Sequence, residues 1–179
     1  MRASGVRVVW ITSTYREPKE QARVMFENLS DPSNRGKKSM YKAHGQQVEA
    51  VYREFEAGAV RGFSVGFDPA KPFPSPSRAM AGMEARILEL EAQFDTGCVS
   101  KHQVDPSVLN VIDISARRLE PNGNLSAFVR VLTDSMLVSR IGLPKEEERY
   151  HTKHFRESVS CLHLEIPQPR LLIERFNVA

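Results

Sequence analysis

Long apolar runs, paired cysteines, a strong charge surplus and internal repeats are all missing from this chain of 179 residues. No apolar stretch approaches the about 20 residues that a membrane-spanning helix needs, which excludes a helical span. The N-terminal apolar stretch is short and broken by Arg7, so no secretory signal is expected there. Only two cysteines occur, Cys98 and Cys161, and they form no CxxC pair; a chain this long builds a core without disulfides. They remain open as thiols, a disulfide or additional metal ligands. The 25 basic and 22 acidic groups leave a net charge of +3, too slight and too dispersed for a nucleic-acid-binding face.

What is present is an ordinary globular composition, 41% hydrophobic and 26% charged, which fits one domain spanning residues 1–179. Residues 6–12 read as a first strand. Pro18 then suits the first turn of a helix over 18–29. A second helix is expected over 39–57, its end bracketed by Gly58 and Gly62, followed by an irregular connection over 63–77. A third, over 77–94 with Ser77 as N-cap, presents Met80, Met83, Ile87, Leu90 and Phe94 on one face. That methionine stripe reads as core packing, not as a cofactor box.

Residues 108–115 read as a buried strand, and 125–138 as a helix with Leu125, Phe128, Val129, Leu132, Met136 and Leu137 facing inward. Lys145 to Arg149 is a charged run of the kind found in solvated loops. Residues 159–166 alternate as a strand, and 170–176 form another candidate after the Pro167-Gln-Pro169 break. Helices dominate the first half and strands carry the polar clusters. The class is therefore α+β, with a small, mostly antiparallel sheet flanked by helices.

Three segments carry chemistry. Ser100-Lys-His102 is followed by Asn110-Val-Ile-Asp113-Ile, and 50 residues past that aspartate comes Cys161-Leu-His163-Leu-Glu165. Two histidines and a carboxylate make an open zinc site, leaving one tetrahedral position for a water that titrates near neutral pH. Alternate residues of a strand share a face, so Cys161, His163 and Glu165 give a polar face where a core strand would be apolar. Asp113 lies among Val111, Ile112 and Ile114, and a buried carboxylate there needs a cation, a metal or several hydrogen bonds. Bland alternatives stay open: His102 as an ordinary histidine, Asp113 paired with Arg117 or Arg118, and Tyr15-Arg16 as a plain strand-to-helix turn.

Taken in order, Ser13-Thr-Tyr15-Arg16, Ser100-x-His102 with Val-Ile-Asp113-Ile, and Leu-His163-Leu-Glu165 resemble the zinc D-alanyl-D-alanine peptidases. This family includes VanX- and VanY-type carboxypeptidases and the L-alanyl-D-glutamate endopeptidases of phage endolysins, and shares its fold with the hedgehog signalling domain. The resemblance implies Zn2+ held by His102, Asp113 and His163. It implies Arg16 on the substrate and the developing oxyanion, with Tyr15 beside it in substrate binding, and Ser100 steadying the first ligand. The implied partner is a peptidoglycan peptide. A monomer is expected, cytoplasmic at synthesis without a signal peptide and acting at the cell wall as a phage-encoded or virion-associated enzyme.

Two departures from the family pattern matter. The family places its aspartate seven residues after the histidine, with a glycine between, whereas His102 and Asp113 are eleven apart with no glycine between them. The family's general base, a Glu or Asp three residues before the last histidine, is replaced by Ser160, and serine is no base at neutral pH. Glu157 is the preferred substitute; His154, His151 and Glu165 are the others, although Glu165 resembles a structural glutamate of the family. Two functions follow: a zinc peptidase or amidase acting on D-amino-acid-containing wall peptides, or a catalytically impaired relative serving as a wall-binding or structural module.

Overall fold

The structure is a computed structural model that describes residues 4–34, 39, 41–65, 75–120, 125–144, 152–156 and 161–168. The chain divides into two compact units, one formed by residues 16–103 and the other by residues 1–15 with 104–179. Each is taken by itself.

The helical unit holds α1 (Pro18–Ser30), α2 (Ala43–Val65) and α3 (Pro76–Gln93), with short 3-10 turns at Pro32–Asn34 and Lys101–Gln103. Pro18 opens α1, as its fixed φ and missing N–H favour. The core gathers Ala22, Met25, Val48, Tyr52, Met83, Ile87 and Leu90, so the methionine stripe is packing, as the periodicity predicts. Phe26, Tyr52 and Phe55 pack ring against ring beside it.

Three expectations are corrected here. The cap of α3 is Ser75, whose hydroxyl accepts from the Arg78 amide at 3.3 Å, with Pro76 next to it; Ser77 lies one turn-position inside the helix. Phe94 does not face the core but is exposed and stacks on His44, ring centroids 4.3 Å apart. Finally, α2 starts four residues later than expected and runs through Gly58 and Gly62 to Val65, so the first part of the expected 63–77 connection is helical. Glycine weakens a helix by about 1 kcal/mol but keeps its N–H donor, so it does not end one on its own.

Among the described residues the sheet unit is built on five strands: β1 (Val8–Ser13), β2 (Leu109–Glu120), β3 (Arg140–Leu143), β4 (His154–Arg156) and β5 (Cys161–Pro167). Their order across the sheet is β1-β2-β5-β3-β4, antiparallel except for the β3–β4 pair. The mostly antiparallel α+β class is thus borne out. Strands β3 and β4 were not foreseen, and β2 runs five residues past its expected end at Ser115.

Alternation sorts the sheet into two faces. Ile114, Leu162, Leu164, Ile141 and Leu143 bury one face against Phe128 and Val129 of α4 (Leu125–Asp134). Fully burying each such side chain contributes about 1.5–3 kcal/mol, which fixes the register of the central strands. Helix α4 ends at Asp134, not 138, and Met136 and Leu137 lie exposed beyond it. The Lys153 ammonium donates to the Thr133 and Ser135 carbonyls at 3.0 Å each, satisfying the acceptors at the helix end. Among the described residues no helix is long and apolar enough to cross a membrane. The charged run 145–149 and the candidate strand 170–176 lie outside the described residues.

Candidate metal centre

The other face of the sheet is polar because the register puts polar residues opposite one another. Asp113 on β2 pairs with His163 on β5, Ser115 with Cys161, and Val111 with Glu165. On the far side of β5, Gly142 of β3 pairs with His163 and Arg140 with Glu165. Cross-strand partners project to the same side, so one short stretch of sheet presents Asp113, His163, Glu165 and Arg140 together.

The contacts follow from that placement. His163 Nδ1 donates to Asp113 Oδ1 at 2.9 Å, and His163 Nε2 lies 3.9 Å from Glu165 Oε1. Glu165 is held in turn: Arg140 donates to the same Oε1 at 3.2 Å, and Ser139 gives its amide and hydroxyl to the Glu165 carbonyl at 2.9 and 3.0 Å. The Arg140 guanidinium sits over the Phe155 ring, 4.6 Å from its centroid, and that ring meets His163 edge-on at 5.7 Å. Asp113 therefore pairs with an imidazole, while Arg118, one of the two partners considered from sequence, lies over Trp10 at 5.7 Å.

Gly142 makes the crowding possible. A Cβ there would lie 2.8 Å from His163 Cβ and 2.8 Å from Phe155 Cζ. Only a residue without a side chain lets the ring and the imidazole close over this point of β3.

His102 belongs to the Lys101–Gln103 turn, two residues before Val104, where the chain enters the sheet unit. It is buried, its amide donates to Ser100 Oγ at 3.4 Å, and its carbonyl accepts from the Arg16 amide at 2.8 Å. Within the sheet unit Asp113 and His163 could hold a metal ion, with His102 as the third donor that the sequence motifs suggest. Two imidazoles and a carboxylate are a donor set that zinc accepts, at bond lengths of about 2.0–2.2 Å. A ligating histidine needs its second nitrogen fixed; were His163 to ligate through Nδ1 beside Asp113, its Nε2 would face Glu165 at 3.9 Å.

The remaining sequence candidates are placed as follows. Tyr15 is half-exposed after β1, and Arg16 donates from its guanidinium to Gln21 at 3.2 Å. Ser100 touches the His102 backbone through its hydroxyl. His154 pairs with Ile141 on the face covered by α4, with Nε2 2.7 Å from Thr133 Oγ1, so it points away from His163. Glu157, His151 and Ser160 lie outside the described residues. Cys98 and Cys161 are thiols without a disulfide, and burial pushes the Cys98 thiol above its ordinary range. Sequence reasoning missed Arg140, Gly142 and Phe155; the short Arg140-Ile-Gly142-Leu stretch carried too few residues to read as a strand. No family model, no curated protein and no solved structure matches the chain.

Proposed function

We propose that this protein is a zinc-dependent peptidase or amidase that cuts D-amino-acid-containing peptides of peptidoglycan. The observation that carries the reading is the 2.9 Å contact between Asp113 and His163 on paired strands, and His102 is the third ligand that the resemblance implies. The ordered motifs of the zinc D-alanyl-D-alanine peptidases support the substrate class. When bound, zinc supplies a Lewis acid and a water made acidic enough to attack at neutral pH.

The chain's own residues do the rest. Asp113 and His163 would hold the ion from two neighbouring strands, and Glu165 orients the His163 ring. Arg16, always charged, is assigned to the substrate carbonyl, with Tyr15 beside it. The proton from the attacking water needs a base, and Glu157 is assigned to that role. Such an enzyme works at the cell wall, phage-encoded or carried in a virion.

A second reading, a zinc-holding wall-binding module without turnover, is favoured by Ser160 at the position where the family keeps its base. One experiment separates the two: metal analysis of the purified protein, then amine release from muropeptides. The enzyme reading expects one zinc per chain and turnover that Glu157→Ala removes. Zinc without turnover, with muropeptide binding retained, selects the module. Near-zero zinc overturns both.

A further inference from the structure

Tryptophan occurs once in this chain, and Trp10 stands 48% exposed on β1, at the edge of the described sheet. Its neighbours along the strand, Val9 and Ile11, pair with Leu119 and Ile114, both of which are buried in the core beneath α4. Trp10 between them therefore projects from the opposite face, the one that carries Asp113. Val8, 44% exposed, shares that side and widens the apolar floor. A tryptophan needed only for packing would take the Val9 position, against the core.

Strand β2 is shaped around this residue. Between the pairs Val9↔Leu119 and Ile11↔Ile114, β1 advances two residues while β2 advances five, a bulge of the kind that re-aims side chains beside functional sites. The bulge carries Arg117 and Arg118, both exposed, and the Arg118 guanidinium lies 5.7 Å from the indole centroid. A flat apolar ring thus stands with a rigid fork of N–H donors beside it. A pyranose is complementary to that pair: its C–H face lies on an indole, and its hydroxyl and N-acetyl oxygens accept from a guanidinium. A nucleic acid would need a concentrated basic face, which a net charge of +3 does not give.

We propose that Trp10, with Arg118 and Val8, is a sugar-binding subsite that takes the glycan strand of peptidoglycan, a polymer of N-acetylated amino sugars. The identity of the polymer rests on the peptidase reading; the fit to a sugar ring does not. Ser13, the cross-strand partner of Asp113, is three residues along β1 from Trp10, about 10 Å at the rise of a strand. A stem peptide leaving a sugar on Trp10 reaches Asp113 with about three extended residues. The contact makes and breaks no bond; it sets which part of the stem falls at the candidate metal centre.

The test uses the full chain and one probe, the N-acetylglucosamine tetramer, with zinc content measured on every sample. Because Trp10 is the only tryptophan, its emission reads the subsite directly. Wild type is expected to show a saturable blue shift and a loss of acrylamide quenching as the tetramer covers the indole. By titration calorimetry Trp10→Ala should bind the tetramer about tenfold more weakly, Trp10→Phe less so because it keeps an aromatic face, and Arg118→Gln about two- to fivefold more weakly. Emission in wild type that the tetramer leaves unmoved overturns the proposal whether or not the variants fold, as does wild-type affinity in a folded Trp10→Ala. A response to oligothymidylate that is tighter than the response to the tetramer and weakens with salt overturns it in favour of single-stranded nucleic acid. A wild type without zinc overturns the peptidase reading instead, while the tetramer titration still decides the role of Trp10.

Discussion

Gly142→Ala is a single-carbon change whose consequence can be worked out from the packing around β3. The new Cβ would stand 2.8 Å from His163 Cβ, 2.8 Å from Phe155 Cζ and 3.0 Å from Phe155 Cε2. The His163 Cβ is fixed by β5, which pairs on both sides, whereas Phe155 belongs to the short strand β4 and pairs only with β3 among the described strands. The ring is therefore the part that moves. Gly142 does not have a positive φ, so alanine meets no backbone penalty. Overpacking of this kind costs about 1–3 kcal/mol, offset by roughly 0.4–1 kcal/mol from the stiffer unfolded chain. A net loss of about 1–2 kcal/mol lowers the melting temperature by roughly 2–8 °C for a protein of this size. Moving Phe155 also removes the platform under Arg140 and the edge contact to His163, so zinc affinity should fall with stability. Differential scanning calorimetry with and without zinc measures both. Gly82→Ala is the control: its Cβ would meet one atom only, Val51 Cγ1 at 3.1 Å, inside a helix that gains about 1 kcal/mol from losing glycine. An unchanged melting temperature and zinc affinity in Gly142→Ala would refute the packing argument.

Three further outcomes are expected. Gln103 is 1% exposed and among the described residues neither of its side-chain amide atoms has a partner, so Gln103→Met should raise the melting temperature by removing desolvated groups worth about 1–3 kcal/mol; a fall would show that the amide is satisfied by bound water or ligand. Glu165→Gln leaves the shape of the site but takes the charge from beside His163 and Arg140, and zinc affinity should drop about 10–100-fold; equal affinity would remove Glu165 from the metal site. Burial holds the Glu91 carboxyl above its ordinary value, against a smaller lowering by the Gly97 amide. Folding therefore favours its protonated form: that contribution is complete below the unfolded-state value and is lost as pH rises through the folded-state one. Urea unfolding of Glu91→Gln should show a flatter pH dependence across this window than wild type, and identical slopes would contradict it.

The alternation of Cys161-Leu-His163-Leu-Glu165 was legible because a period of two separates a buried face from a polar one without any knowledge of neighbours. Asp113 stood out for the same reason, as a charge inside an apolar strand. Pro18 and the methionine stripe marked helices by local chemistry. What escaped depended on partners distant in the chain. Strand β3 has four residues with a glycine among them, and glycine reads as a breaker; its reason for being there is the ring of Phe155 and the imidazole of His163, which only the paired sheet brings together. Arg140 and Phe155 were missed with it. The ends of α2 and α4 were misjudged because glycine and exposed apolar residues were weighed by local preference, while the Lys153 contacts that close α4 come from beyond the next strand. His154, a base candidate by proximity in sequence, fell on the wrong face by the parity of β4.

The central claim is that Asp113 and His163 hold one metal ion with His102. Zinc titration of the wild-type protein and of Asp113→Ala and His163→Ala, followed by calorimetry and melting temperature, tests it most directly. One zinc per chain is expected in wild type, bound zinc should be lost in both variants, and the zinc-dependent rise in melting temperature should vanish with it. Zinc content equal to wild type in both variants would contradict the account.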